Sequence, residues 1–188
     1  MKLSLPQLGI TIVLVSLTFF FAALLLAFGL RVQTEAIWQR FQIPSLLWLG
    51  TAILILSSIA LEAARYALRR ALLVVYRGRV RITFALGILF LGMQCVSAAD
   101  LIRQGVAVAS NPRGSAFYIF MGIHGVHLLA GVFWLSWLWK SSDLLFRGGE
   151  QAIRGHRRHL DAATLFWHFM GILWIVMFWF LRQWAIES

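Results

Sequence analysis

Two histidines three residues apart, His124 and His127, stand in the run FYIFMGIHGVHLLAGVFW, which carries no charged residue. That run is nearly long enough by itself to cross a bilayer. A third histidine, His168, opens the apolar run FWHFMGILWIVMFWFL. Imidazole can ligate a metal or haem, relay protons near neutral pH, or serve as a hydrogen-bonding group between helices. On a helix His124, His127 and Gly131 recur at i, i+3 and i+7 and share one face. His168 and Gly171 are related by i, i+3, with Thr164 one turn before. Each run thus pairs a polar ring with a glycine on one side, a pattern that lets two helices approach closely and satisfy the ring across the gap.

The three chemistries are not equally served by the surrounding residues. His127 and His168 fall within a turn or two of one another in depth if their helices run in opposite directions, so an axial pair on a haem iron is geometrically open. His124 and His127 project from one side of one helix and cannot clasp an iron from opposite faces. Zinc needs four ligands in structural sites, or three and a water in catalytic ones, and no third and fourth ligand of suitable spacing is present. A proton relay needs acids or water at depth, whereas all seven carboxylates (Glu35, Glu62, Asp100, Asp143, Glu150, Asp161 and Glu187) sit at the ends of apolar runs or between them. The residues favour the structural reading, a polar seam between two helices. Gln94, a lone amide in another apolar run, reads as an interhelical hydrogen bond. Glu62 reads as one half of an i, i+3 or i, i+4 pair with Arg65 or Tyr66. His156 and His159, in the basic segment GHRRHLD, are expected to face solvent or anionic head groups.

The elements that must position these residues follow from composition. Of 188 residues 61% are hydrophobic and only 13% charged, too few charges to clothe a soluble domain. The formal net charge of +10 does not point to nucleic acid, because the basic residues lie in the gaps between apolar runs rather than along a soluble face. Cys95 is the single cysteine, so neither a disulfide within the chain nor a thiolate cluster is available. The apolar runs cover approximately 8–30, 44–62, 82–102, 115–139 and 162–181. Each is close to the ~20 residues that a helix needs to cross the hydrocarbon. They are apolar all round rather than alternating, which excludes a barrel of strands. The first run exceeds the ~7–15 residues of a signal-peptide core and is read as a retained span.

The fold class expected is therefore all-α: a polytopic membrane protein, one five-helix transmembrane domain over 1–188. Pro6, Pro44 and Pro112 stand just ahead of runs, where a missing N–H costs nothing. Twelve of the 17 basic residues fall at the N-terminus, between runs two and three, or between runs four and five. The positive-inside rule then places the N-terminus in the cytoplasm and the C-terminus in the periplasm. Trp38, Trp48, Trp139 and Trp184 lie near the expected interfaces, where amphipathic rings belong. An ion-coupled transporter is disfavoured, since no acid lies at mid-depth and no paired, broken helices are seen.

The motifs together resemble a known family. SAFYIFMGIHGVHLLAGVFW is similar to the F-Y-x-x-T-G-x-H-G-x-H-x-x-x-G signature of haem-copper oxidase subunit III. FWHFMGILWIVMFWFL is similar to that family's Y/F-W-H-F-V-D-x-x-W closing helix. PSLLWLGTAILILSSIALEAA resembles its P-x-x-x-N-T-x-x-L-x-x-S-S segment, and ITFALGILFLGMQ its following helix. The resemblance spans all five runs and implies the short bacterial form, in the cytoplasmic (inner) membrane. It implies a non-catalytic chain that holds no haem or copper, those being expected in partner subunits. It implies packing against subunit I, with subunit II in the same complex, phospholipid binding, and support of proton uptake during oxygen reduction. His124, His127, Trp167 and His168 are then signature positions knitting helices four and five, beside Gly131, Gly171, Gln94 and Glu62 as seam or lipid-contact residues. Two positions depart from the pattern. Leu17, after Ser16, stands where the family carries glutamate, and Gly171 stands where it carries aspartate. The accessory subunit of nitric oxide reductases shares the overall pattern, and the rival from another class is a stand-alone bis-His cytochrome of the b type.

Overall fold

Apolar runs in lipid must satisfy every backbone N–H and C=O within the segment, and the helix does so without a partner. The structure, a computed structural model, describes residues 5–34, 44–105 and 112–186. It contains α1 (Leu5–Thr34), α2 (Leu46–Arg69), α3 (Leu73–Arg103), α4 (Pro112–Ser141) and α5 (Leu145–Ile186), with a 3-10 turn at Ser142–Leu144 between the last two. There is no strand among the described residues. Four stretches are long and apolar enough to cross a membrane: Leu8–Leu30, Leu46–Arg69, Leu73–Arg103 and Phe117–Gln183, the last holding both α4 and α5. Glu35, Trp38 and Glu187 lie outside the described residues.

The helices overrun the apolar runs from which they are expected. α2 continues to Arg69, α3 begins at Leu73, and α5 begins at Leu145, so much of the arginine-rich sequence is helical rather than loop. Hydropathy marks where hydrocarbon ends. Helix propensity does not stop there, because Ala, Leu and Arg are good helix formers whether or not lipid surrounds them.

Two backbone features set the turns. α2 closes in a Schellman arrangement, with Leu72 N–H donating to Ala67 O at 3.0 Å and Ala71 N–H to Leu68 O at 3.1 Å. Its left-handed position is Ala71, at φ 56°, where glycine is the usual occupant. α5 is bent at Gly149, whose φ of 60° and ψ of −162° fall in a region essentially reserved for glycine. The bend separates a short basic first turn from the long remainder of α5.

α2, α3, α4 and α5 enclose a core in which Trp167 and Trp174 of α5 are the largest fully buried side chains. α1 packs on α5 and adds Ile10, Leu14, Leu17 and Phe21 to the core, with Phe21 against the ring of His127 and Phe28 against Phe120, both of α4. The outward surface is apolar as well, with Phe19, Val74 and Phe133 among its most exposed side chains. Lipid tails are as apolar as these residues, so the core is held by close packing and interhelical hydrogen bonds rather than by exclusion of water.

Candidate functional site

The seam is built around the indole of Trp167. α5 carries Trp167 and Trp174 seven residues apart, on one face. α2 runs beside it with Ser57 and Thr51 on the facing side. Trp167 Nε1 donates to Ser57 Oγ at 3.0 Å and Trp174 Nε1 to Thr51 Oγ1, also at 3.0 Å. Each hydroxyl is itself anchored, Ser57 donating to Leu54 O at 2.7 Å and Thr51 to Leu47 O at 2.8 Å. The series continues toward the basic end. His168 Nε2 stands 3.0 Å from Glu62 Oε1, and Arg65 Nε donates to Asp161 Oδ1 at 2.6 Å. Arg65 also reaches Glu62 at 3.4 Å. Side-chain contacts thus run along the α2/α5 boundary from Thr51–Trp174 at one end to Arg65–Asp161 at the other.

On its other side the Trp167 ring fills a notch floored by glycine. A Cβ placed on Gly87 of α3 would stand 2.7 Å from Trp167 Cη2, and one on Gly131 of α4 would stand 3.2 Å from Cε3 of the same ring and 3.0 Å from Phe166. Only glycine admits helices this close. Trp167 therefore touches α2 by a hydrogen bond and α3 and α4 by close packing.

The sequence-predicted residues divide accordingly. Gly131, Trp167 and His168 take part in this seam, but His168 turns to Glu62 on α2 and not to α4. His124 is fully buried between Phe90 of α3 and Trp174, with ring centroids at 6.4 and 5.4 Å, and neither ring nitrogen has a hydrogen-bond partner. His127 Nδ1 donates to Ile123 O one turn back at 2.7 Å, and its ring meets Phe21 of α1 at 6.0 Å. His127 and His168 thus engage different helices, α1 and α2, and are not brought together as an axial pair would require. Thr164 donates to Leu160 O at 2.8 Å within its own helix. Gly171 is open: a Cβ placed there would come no closer than 3.9 Å to its nearest neighbour, Ser58 Oγ. It lines a groove of about 410 Å³ between α2 and α5 together with Glu62 and His168. Gln94 is buried, but its Nε2 makes no hydrogen bond to any other helix, contrary to the expected interhelical bond.

The Glu62–Arg65 pair is formed as expected, whereas Tyr66 lies beneath the Arg70 guanidinium at 4.4 Å. His156 departs from expectation. It is buried, hydrogen-bonded to the Tyr76 hydroxyl at 2.6 Å and stacked on Trp137, while His159 remains exposed and edges the same Trp137. The reason is that the basic segment is helical and presents one histidine inward. His156 lies between the apolar runs 115–139 and 162–181, and burial, then the neighbouring His159, push its pKa down to about 4. Sequence reasoning missed Ser57, Thr51, Gly87 and Tyr76. The signal for the first two was available: hydroxyls six residues apart on one apolar run answer two tryptophans seven apart on another.

Among the described residues no group of three or more His, Cys, Asp or Glu side chains converges as a metal would need. What the geometry offers is helix cohesion, an indole-and-imidazole seam in a bundle of apolar helices able to cross a membrane. The class is that of a membrane-embedded helical protein whose polar residues face one another. Residues 4–186 match the family of cytochrome c oxidase subunit III, and the chain belongs to that family. It is 27% identical over 136 residues to the cytochrome c oxidase subunit 3 of Bacillus subtilis, covering 71% of this chain and 63% of that protein. A probable quinol oxidase subunit 3 of Staphylococcus saprophyticus is 29% identical over 164 residues, 86% of this chain and 77% of its own length. The cytochrome bo(3) ubiquinol oxidase subunit 3 of Pseudomonas aeruginosa is 30% identical over 138 residues, 73% of this chain and 63% of that one. The chain thus matches somewhat less than two thirds of the length of two of these three relatives.

Proposed function

We propose that this chain is a non-catalytic subunit III of a bacterial haem-copper respiratory terminal oxidase. The observation that carries the reading is the family match over residues 4–186, with relatives named as subunit 3 of both cytochrome c and quinol oxidases. In this role it crosses the inner membrane five times as one transmembrane unit, N-terminus in the cytoplasm and C-terminus in the periplasm. The basic residues gathered between the apolar runs 44–62 and 82–102, and between 115–139 and 162–181, support that direction. It binds no haem or copper. Those reside in subunits I and II, which it stabilises while supporting proton uptake during oxygen reduction. The α2/α5 groove, lined by Leu54, Ile55, Ile59, Ile172 and Ile175 and edged by Glu62 and His168, suits a phospholipid tail with its head group at the charged edge. His124, His127, Gly131, Trp167, His168, Gly171, Gln94 and Glu62 act as seam or lipid-contact residues.

The test is gentle purification from native membranes through a tag on this chain. A haem-bearing, oxygen-reducing partner should come with it, and the chain freed from that partner should show no Soret band. Recovery of the chain alone with bound haem would overturn the assignment in favour of a b-type cytochrome. Recovery with a partner that reduces nitric oxide and not oxygen would move it to that branch.

A further inference from the structure

Glycines on α4 are of two kinds. Gly131 is required from inside, since a Cβ there would strike Phe166 and Trp167. Gly122 and Gly125 are not. A Cβ on Gly122 would meet nothing within 4 Å, and one on Gly125 would meet only Gln94 Oε1, at 3.7 Å. Internal packing therefore does not account for either, and glycine in a helix interior is otherwise unfavourable. Both floor a groove of about 320 Å³ between α3 and α4, whose walls include Gln94, Cys95, Val126 and Leu129. Val126 is 65% exposed and Leu129 55%, and Phe133 one turn beyond is 77% exposed.

Gln94 supplies an independent observation. Its side chain is 4% exposed, it lines this groove, and its Nε2 has no hydrogen-bond partner. Nε2 is closed off even from the groove, and the atom that Gln94 turns toward the glycine floor is Oε1, 3.7 Å from where a Cβ on Gly125 would stand. An acceptor left without a donor in an apolar medium is costly. Gln94 lies nine residues before Arg103 at the end of α3, about 13 Å along the axis at ~1.5 Å per residue. That is near the middle of a hydrocarbon layer about 30 Å thick. Lipid head groups lie at the ends of that distance, and an acyl chain has neither donor nor acceptor to offer. A helix does, through a serine, threonine, asparagine or glutamine side chain, and it is also the occupant for which open glycines permit close approach.

We propose that the α3/α4 groove is a docking surface for a transmembrane helix of a different chain, one that brings a hydrogen-bonding side chain to mid-depth opposite Gln94. The proposal rests on the reading of this protein as one subunit of an oxidase and assigns the face by which it joins the complex. Gly122 and Gly125 form the floor, Gln94 the polar contact, and Val126 and Leu129 the apolar wall.

The experiment places the photoreactive residue p-benzoylphenylalanine at position Val126 or, as a control on the opposite boundary, at position Ile172. Membranes holding the intact complex are illuminated before solubilisation, and adducts are identified by mass spectrometry. The expected result is a covalent adduct from position 126 to a transmembrane segment of a second kind of polypeptide, with lipid adducts from position 172. Gly122→Leu fills the open floor from a Cβ that meets nothing within 4 Å, and should lower the position-126 adduct at least tenfold while the chain itself accumulates normally. Gln94→Leu should weaken retention of the partner about 3-fold to 30-fold, the range of one interhelical hydrogen bond. Adducts from position 126 to lipid alone, or to another copy of this chain, would overturn the proposal, as would an undiminished adduct in Gly122→Leu. If a haem-bearing oxidase chain still co-purifies in those cases, the docking face is wrong and the subunit reading stands. If none co-purifies from the unmodified strain, it is the subunit reading that fails, and the position-126 adduct still decides the groove.

Discussion

α5 has two working faces, and they cohere by different means. Toward α2 it presents donors and acceptors: two indoles to two hydroxyls, an imidazole to a carboxylate, and a carboxylate to a guanidinium. Toward α3 and α4 it presents a ring to glycines, with no polar contact at Gly87 or Gly131. Two residues belong to both: Trp167, and Trp174, whose ring also meets Phe90 of α3 and His124 of α4. The first face is directional and fixes register, since each bond needs its donor and acceptor aligned. The second is permissive in register but intolerant of volume. A bundle in lipid needs both, because packing alone does not choose among sliding arrangements and single hydrogen bonds there contribute only modestly.

The largest effect expected is that of Trp167→Ala, which removes both faces at once and should destabilise the protein by about 3–5 kcal/mol. Gly87→Ala attacks the packed face alone. The added methyl would stand 2.7 Å from the ring, and overpacking of this kind costs about 1–3 kcal/mol. Ser57→Ala attacks the bonded face alone and should cost about 0.6–2 kcal/mol. Trp167→Phe removes the donor and also withdraws ring atoms that meet Gly87 and Gly131, and should fall between Ser57→Ala and Trp167→Ala. All four are measurable by reversible unfolding in mixed micelles. Should Ser57→Ala cost as much as Trp167→Ala, the packed face contributes nothing and the comparison collapses.

Histidines on α5 offer a sharper version of the same contrast. His168 is a third exposed and paired with Glu62, while His156 is 7% exposed and its pKa is held down to about 4, by burial first and then by His159. In the unfolded chain that imidazole titrates near 6.5. Between those values the unfolded state binds the more protons, so acid favours unfolding. The contribution is complete above about pH 6.5 and is lost progressively as pH falls toward about 4. Unfolding followed across that window should show the loss. His156→Phe should flatten this limb, although it leaves the Tyr76 hydroxyl without its partner. An unchanged pH profile in that variant would mean that another group carries the acid sensitivity.

How far the sequence foretells this arrangement depends on what kind of information each feature needs. Helical class and the approximate extent of the apolar runs rest on hydropathy, which is local, and they are legible. So are His168 and Gly131 as residues of a helix contact, because a polar ring beside a glycine in an apolar run has few other uses, whereas Trp167 is singled out only by the resemblance to the family signature. The partner of each is not legible. Spacing along a helix states which residues share a face and is silent on which helix lies opposite. His168 is expected against α4 and meets α2, and His124 and His127, though three residues apart, look toward different neighbours. His156 is expected in solvent because its segment is rich in arginine. A helical basic segment still has an inner face, and that follows from the fold rather than from composition.

The smallest effect concerns the turn that ties the two faces together. α2 carries the hydroxyls that meet α5 and α3 carries Gly87, so the turn between them sets Ser57 and Gly87 on either side of one indole. Its left-handed position is Ala71, at φ 56°, a conformation that costs an L-residue about 1–2 kcal/mol and glycine almost nothing. Glycine there also has more freedom to lose on folding, which offsets about 0.5–1 kcal/mol of that relief. Ala71→Gly should therefore stabilise the protein slightly, by about 0.5–1 kcal/mol, and Ala71→Val should do the reverse. If the turn governs how Trp167 is shared, Ala71→Gly should also soften the cost of Gly87→Ala, because a more adaptable turn lets α3 withdraw from the ring while α2 keeps its bond. Strict additivity of the two substitutions would show instead that the faces are set independently, each by its own contacts, with the turn a passive link.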